Sequence, residues 1–219
     1  DPNDIPFLSF NDAEMMMSMP KGLTASTGMD ALTHAIEGYI TLAANPLTDL
    51  LCWNSIKFIA ENLKNAVDNG KDVQAREGMA YGSYVAGMAF SNVGLGIVHS
   101  MAHPLGARFD TPHGVANALL LPYVMEYNKP YCKKKYADIA RAMGICVNDL
   151  NEDAAADAAI EAVKKLSLSV NIPQHLSEIG IKEGDLRQLA EDAFIDPCTG
   201  GNPRPTSVED ILDIYKTAL

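Results

Sequence analysis

Positive charge, cysteine and long apolar runs are all scarce in this chain, and each scarcity removes a class of function. Lysine and arginine number 17 against 28 aspartate and glutamate, a formal net charge of −11. Binding a phosphate backbone takes a basic face, so no nucleic-acid partner is expected. Apolar runs break well before the roughly 18 residues of a membrane-crossing helix, and no signal peptide opens the chain, so no membrane partner is expected either. The four cysteines, Cys52, Cys132, Cys146 and Cys198, are scattered and form no CxxC pair. That usage reads as a reduced, cytoplasmic protein rather than a disulfide framework. No stretch alternates apolar and polar residues long enough to mark a strand. Neither a GxGxxG nor a Walker loop occurs, so no strand–loop–helix unit cradles a dinucleotide. HExxH is missing, no Glu stands three residues before a His as a di-iron bundle needs, and no His-Asp dipeptide occurs.

The 219 residues, 47% hydrophobic and 21% charged, have an ordinary globular balance. Their pattern is helical. Thr27-x-x-Asp30 has capping-box spacing ahead of the stripe Ala31, Leu32, Ala35, Ile36 and Tyr39. Leu50 to Val67 and Asp72 to Phe90 repeat the period, the latter carrying Gly78, Gly82 and Gly87 as points of close approach. Gly94 and Gly96 precede a helix bearing His99 and His103, which Pro104 should end or kink. A turn over Asp110–His113 leads to an apolar helix over Gly114–Glu126. Periodicity then predicts helices over Tyr131–Met143, Glu152–Leu168, Gly184–Phe194 and Thr206–Ala218, the last capped by Thr206-x-x-Glu209. The methionines at 15–17 and 19 read as packing residues ahead of a Pro stop. His175, beside Pro173, reads as a surface or packing histidine. The expected architecture is all-α, a compact bundle of about eight helices forming one domain over residues 1–219.

Two segments concentrate the chemistry: TASTGMDALTHAIEGY from Thr24, and GLGIVHSMAHPLGARFDTPHG from Gly94. Four of the five histidines, His34, His99, His103 and His113, lie within them. Asp30 and His34 are four residues apart, so on a helix they share a face with Cβ atoms roughly 5–6 Å apart. His99 and His103 have the same spacing, and a short loop can bring His113 back. One carboxylate and three imidazoles suit a divalent first-row metal, and iron, zinc, cobalt and manganese are all accepted by such a set. Spacing alone does not separate His99 from His103 as the ligand.

These two segments resemble the metal-binding domain of the iron-activated alcohol dehydrogenases, whose C-terminal half has a dehydroquinate-synthase-like helical fold. The likeness extends through DPNDIP, EGYIT, YVAGMAFSNVGLG and CTGGNPR, and so over essentially the whole chain. It is greatest to the branch that interconverts lactaldehyde and 1,2-propanediol. The resemblance implies Asp30, His34, His99 and His113 as ligands of Fe(2+), with Zn(2+) as the substitute. It sets His103 beside the nicotinamide and the substrate as the catalytic and cofactor-contacting residue, and Cys198 on the substrate pocket. It further implies a small aldehyde or alcohol substrate, homo-oligomers, and an N-terminal nucleotide-binding domain, absent from this chain, that holds most of NAD(H). The opening Asp1, which is not Met, fits with sequence preceding it. His103 suits proton relay because an unperturbed imidazole titrates near pH 6.5. The competing expectation is an isolated metal-binding helical module without enzymatic activity.

Overall fold

The computed structural model describes residues 6–219; the first five residues of DPNDIP lie outside the described residues. Eight α-helices and short 3-10 turns make up the described residues, and no strand occurs among them. The helices are α1 (Lys21–Ile40), α2 (Pro46–Asp68), α3 (Val73–Val93), α4 (Ile97–Phe109), α5 (His113–Ala142), α6 (Glu152–Ser169), α7 (Leu186–Phe194) and α8 (Val208–Ala218). No single helix among them is long and apolar enough to cross a membrane.

Helix α1 is the axis of the molecule. It packs against α2, α3 and α5, while α4 lies between α5 and α7 and α6 backs onto α5. Met29, Leu32, Ala35 and Ile36 are fully buried, so α1 is enclosed on nearly every side rather than showing one apolar stripe. It begins at Lys21, after Pro20, six residues before the expected Thr27 cap. Thr27 lies inside the helix, where its hydroxyl donates to the Leu23 carbonyl one turn back. Likewise the cap of α8 is Ser207, paired reciprocally with Asp210, and not Thr206, whose hydroxyl donates to the Arg204 carbonyl.

The prolines stop less than expected. Helix α4 runs through Pro104 to Phe109, and α5 runs unbroken through Pro122 and Pro130, joining two segments that the sequence reading separates. An interior proline costs a helix about 3 kcal/mol. Here that cost is offset by burial: Met101, Ala102 and Leu105 on α4, and Leu119, Leu120, Leu121 and Val124 on α5, are almost wholly withdrawn from water. In the methionine segment Met16, Met17 and Met19 are half-buried as packing residues, while Met15 departs from that reading at 79% exposed.

Two glycines set the relation between α1 and the histidine segment. Gly94 ends α3 with φ of +77°, a conformation that L side chains rarely adopt, and the chain turns sharply into α4. Gly114, in the first turn of α5, lies so close to α1 that a Cβ there would fall 2.5 Å from the Ser26 carbonyl oxygen. This approach carries His113 to the side of Asp30.

Candidate metal centre

Asp30 and His34 project from the middle of α1, His99 from the first turn of α4, and His113 from the start of α5. One donor atom from each lies within 4.8 Å of the other three. The Asp30 Oδ1 is 3.6 Å from His113 Nε2 and 4.0 Å from His99 Nε2. The two Nε2 atoms of His34 and His99 are 3.1 Å apart. His99 is 2% exposed and His113 46%, so the cluster is closed at its base and open at the α5 side.

The hydrogen bonds around these rings decide which nitrogens are free. His34 Nδ1 faces the Asp30 backbone carbonyl at 2.8 Å, and a carbonyl can only accept, so Nδ1 carries the proton. His99 Nδ1 meets Glu37 Oε2 at 2.5 Å, and it too donates. In the neutral rings both Nε2 atoms then carry the lone pair, and they point at one another beside a carboxylate oxygen. Lone pairs at that distance repel unless something positive lies between them. This donor set of three imidazoles and one carboxylate fits a divalent first-row cation. Burial holds the His34 imidazole below its ordinary range, with His99 adding to the effect and Asp30 opposing it. Burial lowers His113 as well, against the attraction of Asp30. Both rings are thus neutral near pH 7, as ligands must be.

His103 stands one helical turn beyond His99 and outside the donor cluster. Its ring stacks on that of His113, with centroids 5.6 Å apart at 14°. Its Nδ1 donates to Asp196 Oδ2 at 2.7 Å, leaving Nε2 free on a side chain 42% exposed. Asp196 also accepts from the Cys198 backbone amide at 2.8 Å. Burial works against the ionised Asp196, but the bonds from His103 and Cys198 prevail and hold it below the usual carboxylate range. Cys198 lies on the 3-10 turn Pro197–Gly201 next to this pair. Burial, then Asp196, pushes its thiol up to about 12, so it is an uncharged neighbour and not an activated nucleophile. His175 is exposed and lies apart, near Tyr123.

Three residues of the cluster were not singled out from the sequence. Glu37 is seven residues after Asp30 on α1, two turns along one face, so its place beside His99 follows from helical spacing once the first turn of α4 is known to lie there. Asn117, one turn into α5, donates from Nδ2 to Asp30 Oδ1 at 2.7 Å and lies 3.0 Å from His113 Nε2. Asp196 is 93 residues from His103, and no local pattern announces it. A cavity of about 280 Å³ adjoins the cluster, bordered by Asp30, His34, Gly87 and Phe90. A larger groove of about 640 Å³ between α2 and α3 is acidic and aromatic but holds no imidazole, so the chemistry belongs to the smaller one.

Comparison with known proteins shows what the whole chain is similar to. The family model for the C-terminal part of Fe-containing alcohol dehydrogenases matches residues 24–219. Lactaldehyde reductase of Escherichia coli K12 is 56% identical over 218 residues, which cover 100% of this chain and 56% of that protein. The 1,3-propanediol dehydrogenase of Klebsiella pneumoniae is 49% identical over 216 residues, 99% of this chain and 56% of its own length. Among solved structures, a 1,3-propanediol oxidoreductase superposes with a TM-score of 0.97 at 49% identity, over 98% of this chain and 56% of the other. The alcohol dehydrogenase of Oenococcus oeni superposes with a TM-score of 0.96 at 46% identity, over 98% and 56%. The chain thus spans about half the length of the curated relatives it matches.

Proposed function

The chain belongs to the Fe-containing alcohol dehydrogenase family, and from that membership we propose that it is the metal-binding half of an NAD(H)-linked enzyme interconverting lactaldehyde and 1,2-propanediol. The observation that carries the reading is the convergence of Asp30 Oδ1 with the imidazole nitrogens of His34, His99 and His113. These four side chains would hold Fe(2+), with Zn(2+) as the substitute. A cation held there would supply Lewis-acid polarisation of the oxygen of a small alcohol or aldehyde, favouring the negative charge that hydride exchange with a nicotinamide requires.

This chain's residues then divide the remaining work. Oxidising an alcohol removes a hydride and a proton, and His103 Nε2, left bare because Nδ1 is engaged by Asp196, receives the proton. In the reducing direction the same nitrogen returns it. Asp196 keeps the ring in that tautomer. Cys198 lines the substrate side as a neutral thiol. We assign the phosphate-binding contacts of NAD(H) to a nucleotide-binding domain outside these 219 residues, in keeping with relatives that are nearly twice as long. A homo-oligomeric enzyme of the cytoplasm completes the proposal.

The test is NADH-dependent reduction of lactaldehyde by the metal-loaded chain joined to its nucleotide-binding half, against a His34→Ala control. Turnover that vanishes in the control is the expected result. Silence with lactaldehyde and other small aldehydes, whichever metal is loaded, would favour a non-enzymatic metal-binding module instead.

A further inference from the structure

Glu37 is a buried carboxylate that neither ligates the proposed cation nor reaches the cavity. It is 2% exposed, and both its oxygens are engaged. Oε1 accepts the Val98 amide at 2.8 Å, and Oε2 accepts His99 Nδ1 at 2.5 Å. Gly96, the N-cap of α4, offers no side chain to the free amides of the first turn. Glu37 caps that helix from across the core, 61 residues away in sequence. A capping role alone would need one oxygen and no charge. The second oxygen is spent on the ring of a ligand.

We propose that Glu37 is the positioning residue of the metal centre: its carboxylate fixes His99 with a bare Nε2 facing Asp30 and His34, and its buried charge offsets the positive charge that a divalent cation keeps after Asp30. The inference rests on the metal-centre reading above. Glu37→Gln separates the two roles because it changes little but chemistry. If the amide oxygen keeps the Val98 amide, the amide NH₂ group faces His99 Nδ1. Two donors cannot share that contact, so His99 must move its proton to Nε2, where the cation would bind. Metal-free Glu37→Gln then has every hydrogen bond satisfied, while its metal site is blocked and short of one charge.

The experiment is calorimetric titration of the purified protein with Zn(II) or Co(II) alone, paired with melting of the metal-free forms. The wild type should bind one ion. Glu37→Gln should melt with the wild type when metal-free and bind roughly 10–100-fold more weakly, the cost usual for losing an outer-shell partner of a ligand. Glu37→Asp, which keeps the charge, should bind more tightly than Glu37→Gln. In nitrogen-15-labelled metal-free protein, the His99 proton should move from Nδ1 to Nε2 in the glutamine variant. Equal affinities would overturn the proposal. So would a metal-free Glu37→Gln protein that melts well below the wild type, because Glu37 would then be a cap and packing group only. A wild type that takes up neither ion would instead overturn the metal-centre reading itself.

Discussion

Under the proposed function, the histidines divide into holders and workers. His113 Nε2 is 3.6 Å from Asp30 Oδ1, whereas His103 is turned to Asp196. Replacing His113 with Ala should weaken metal binding by more than the roughly 10–100-fold that losing an outer-shell contact costs. His103→Ala should retain its metal and lose turnover in the complete enzyme. Metal analysis of the two purified variants checks this, and equal metal loss in both would mean the wrong histidine is assigned. Gly114→Ala probes the approach of α5 to α1. The new Cβ meets a backbone oxygen, which cannot rotate away, so α5 must shift and take His113 with it. A loss of about 1–3 kcal/mol is expected, as for other overpacked sites, measurable by urea unfolding and accompanied by weaker metal uptake. The pairing of Asp30 with His34 was legible in the sequence because four residues make one turn of an unbroken helix. His99 and His103 share that spacing, and what separates them is depth: 2% against 42% exposed, the first turn of α4 being held against Glu37 of α1.

Helices were legible wherever period and burial agree, and some ends with them, such as the start of α6 at Glu152 and the end of α8 at Ala218, but the starts of α1 and α8 and the join within α5 were not. Thr27 has the residue type of a cap, but the chain is already helical from Lys21, and the hydroxyl bonds backward instead. Pro104 was expected to end or kink its helix, and the break expected between Glu126 and Tyr131 does not occur either, because burial of the flanking apolar residues outweighs a local backbone cost. True caps are testable. Asn45 accepts from the amides of Leu47 and Thr48 at the start of α2, so Asn45→Ala should cost about 1 kcal/mol in urea unfolding. Carboxylate caps make a pH prediction. Glu178 is held below the usual carboxylate range by the backbone amides of Gln174 and His175, and Asp210 likewise by the Ser207 hydroxyl and, despite some burial, the Ser207 amide. A carboxylate lowered in the folded state binds its proton less readily there than when unfolded. Its stabilisation is complete above the ordinary values and is lost as pH falls through the lowered ones. His34 and His113, lowered by burial, act in the same sense at higher pH, so the metal-free melting temperature should begin to fall below about pH 6.5 and fall further below about pH 5 as the carboxylates follow; a flat profile to pH 3 would contradict both.

As a whole molecule, the chain is a helical scaffold that brings imidazole nitrogens from α1, α4 and α5 to one point with a carboxylate. A ligand that binds only the folded form adds about 4 kcal/mol at a thousandfold excess over its dissociation constant. For a chain of this size that corresponds to a rise of roughly 8–16 °C in melting temperature, and a chelator should reverse it. Without a nucleotide-binding half the loaded chain should not oxidise NADH above background, since holding the reacting carbons in place is worth about 7–11 kcal/mol of barrier. Turnover by residues 1–219 alone would require a cofactor site within them. The central claim is tested most directly by anomalous diffraction from crystals of the chain loaded with Zn(II) or Co(II). The account predicts one strong peak per chain, among Asp30, His34, His99 and His113. A principal peak anywhere else, or bonded to His103 in place of His99, would contradict it.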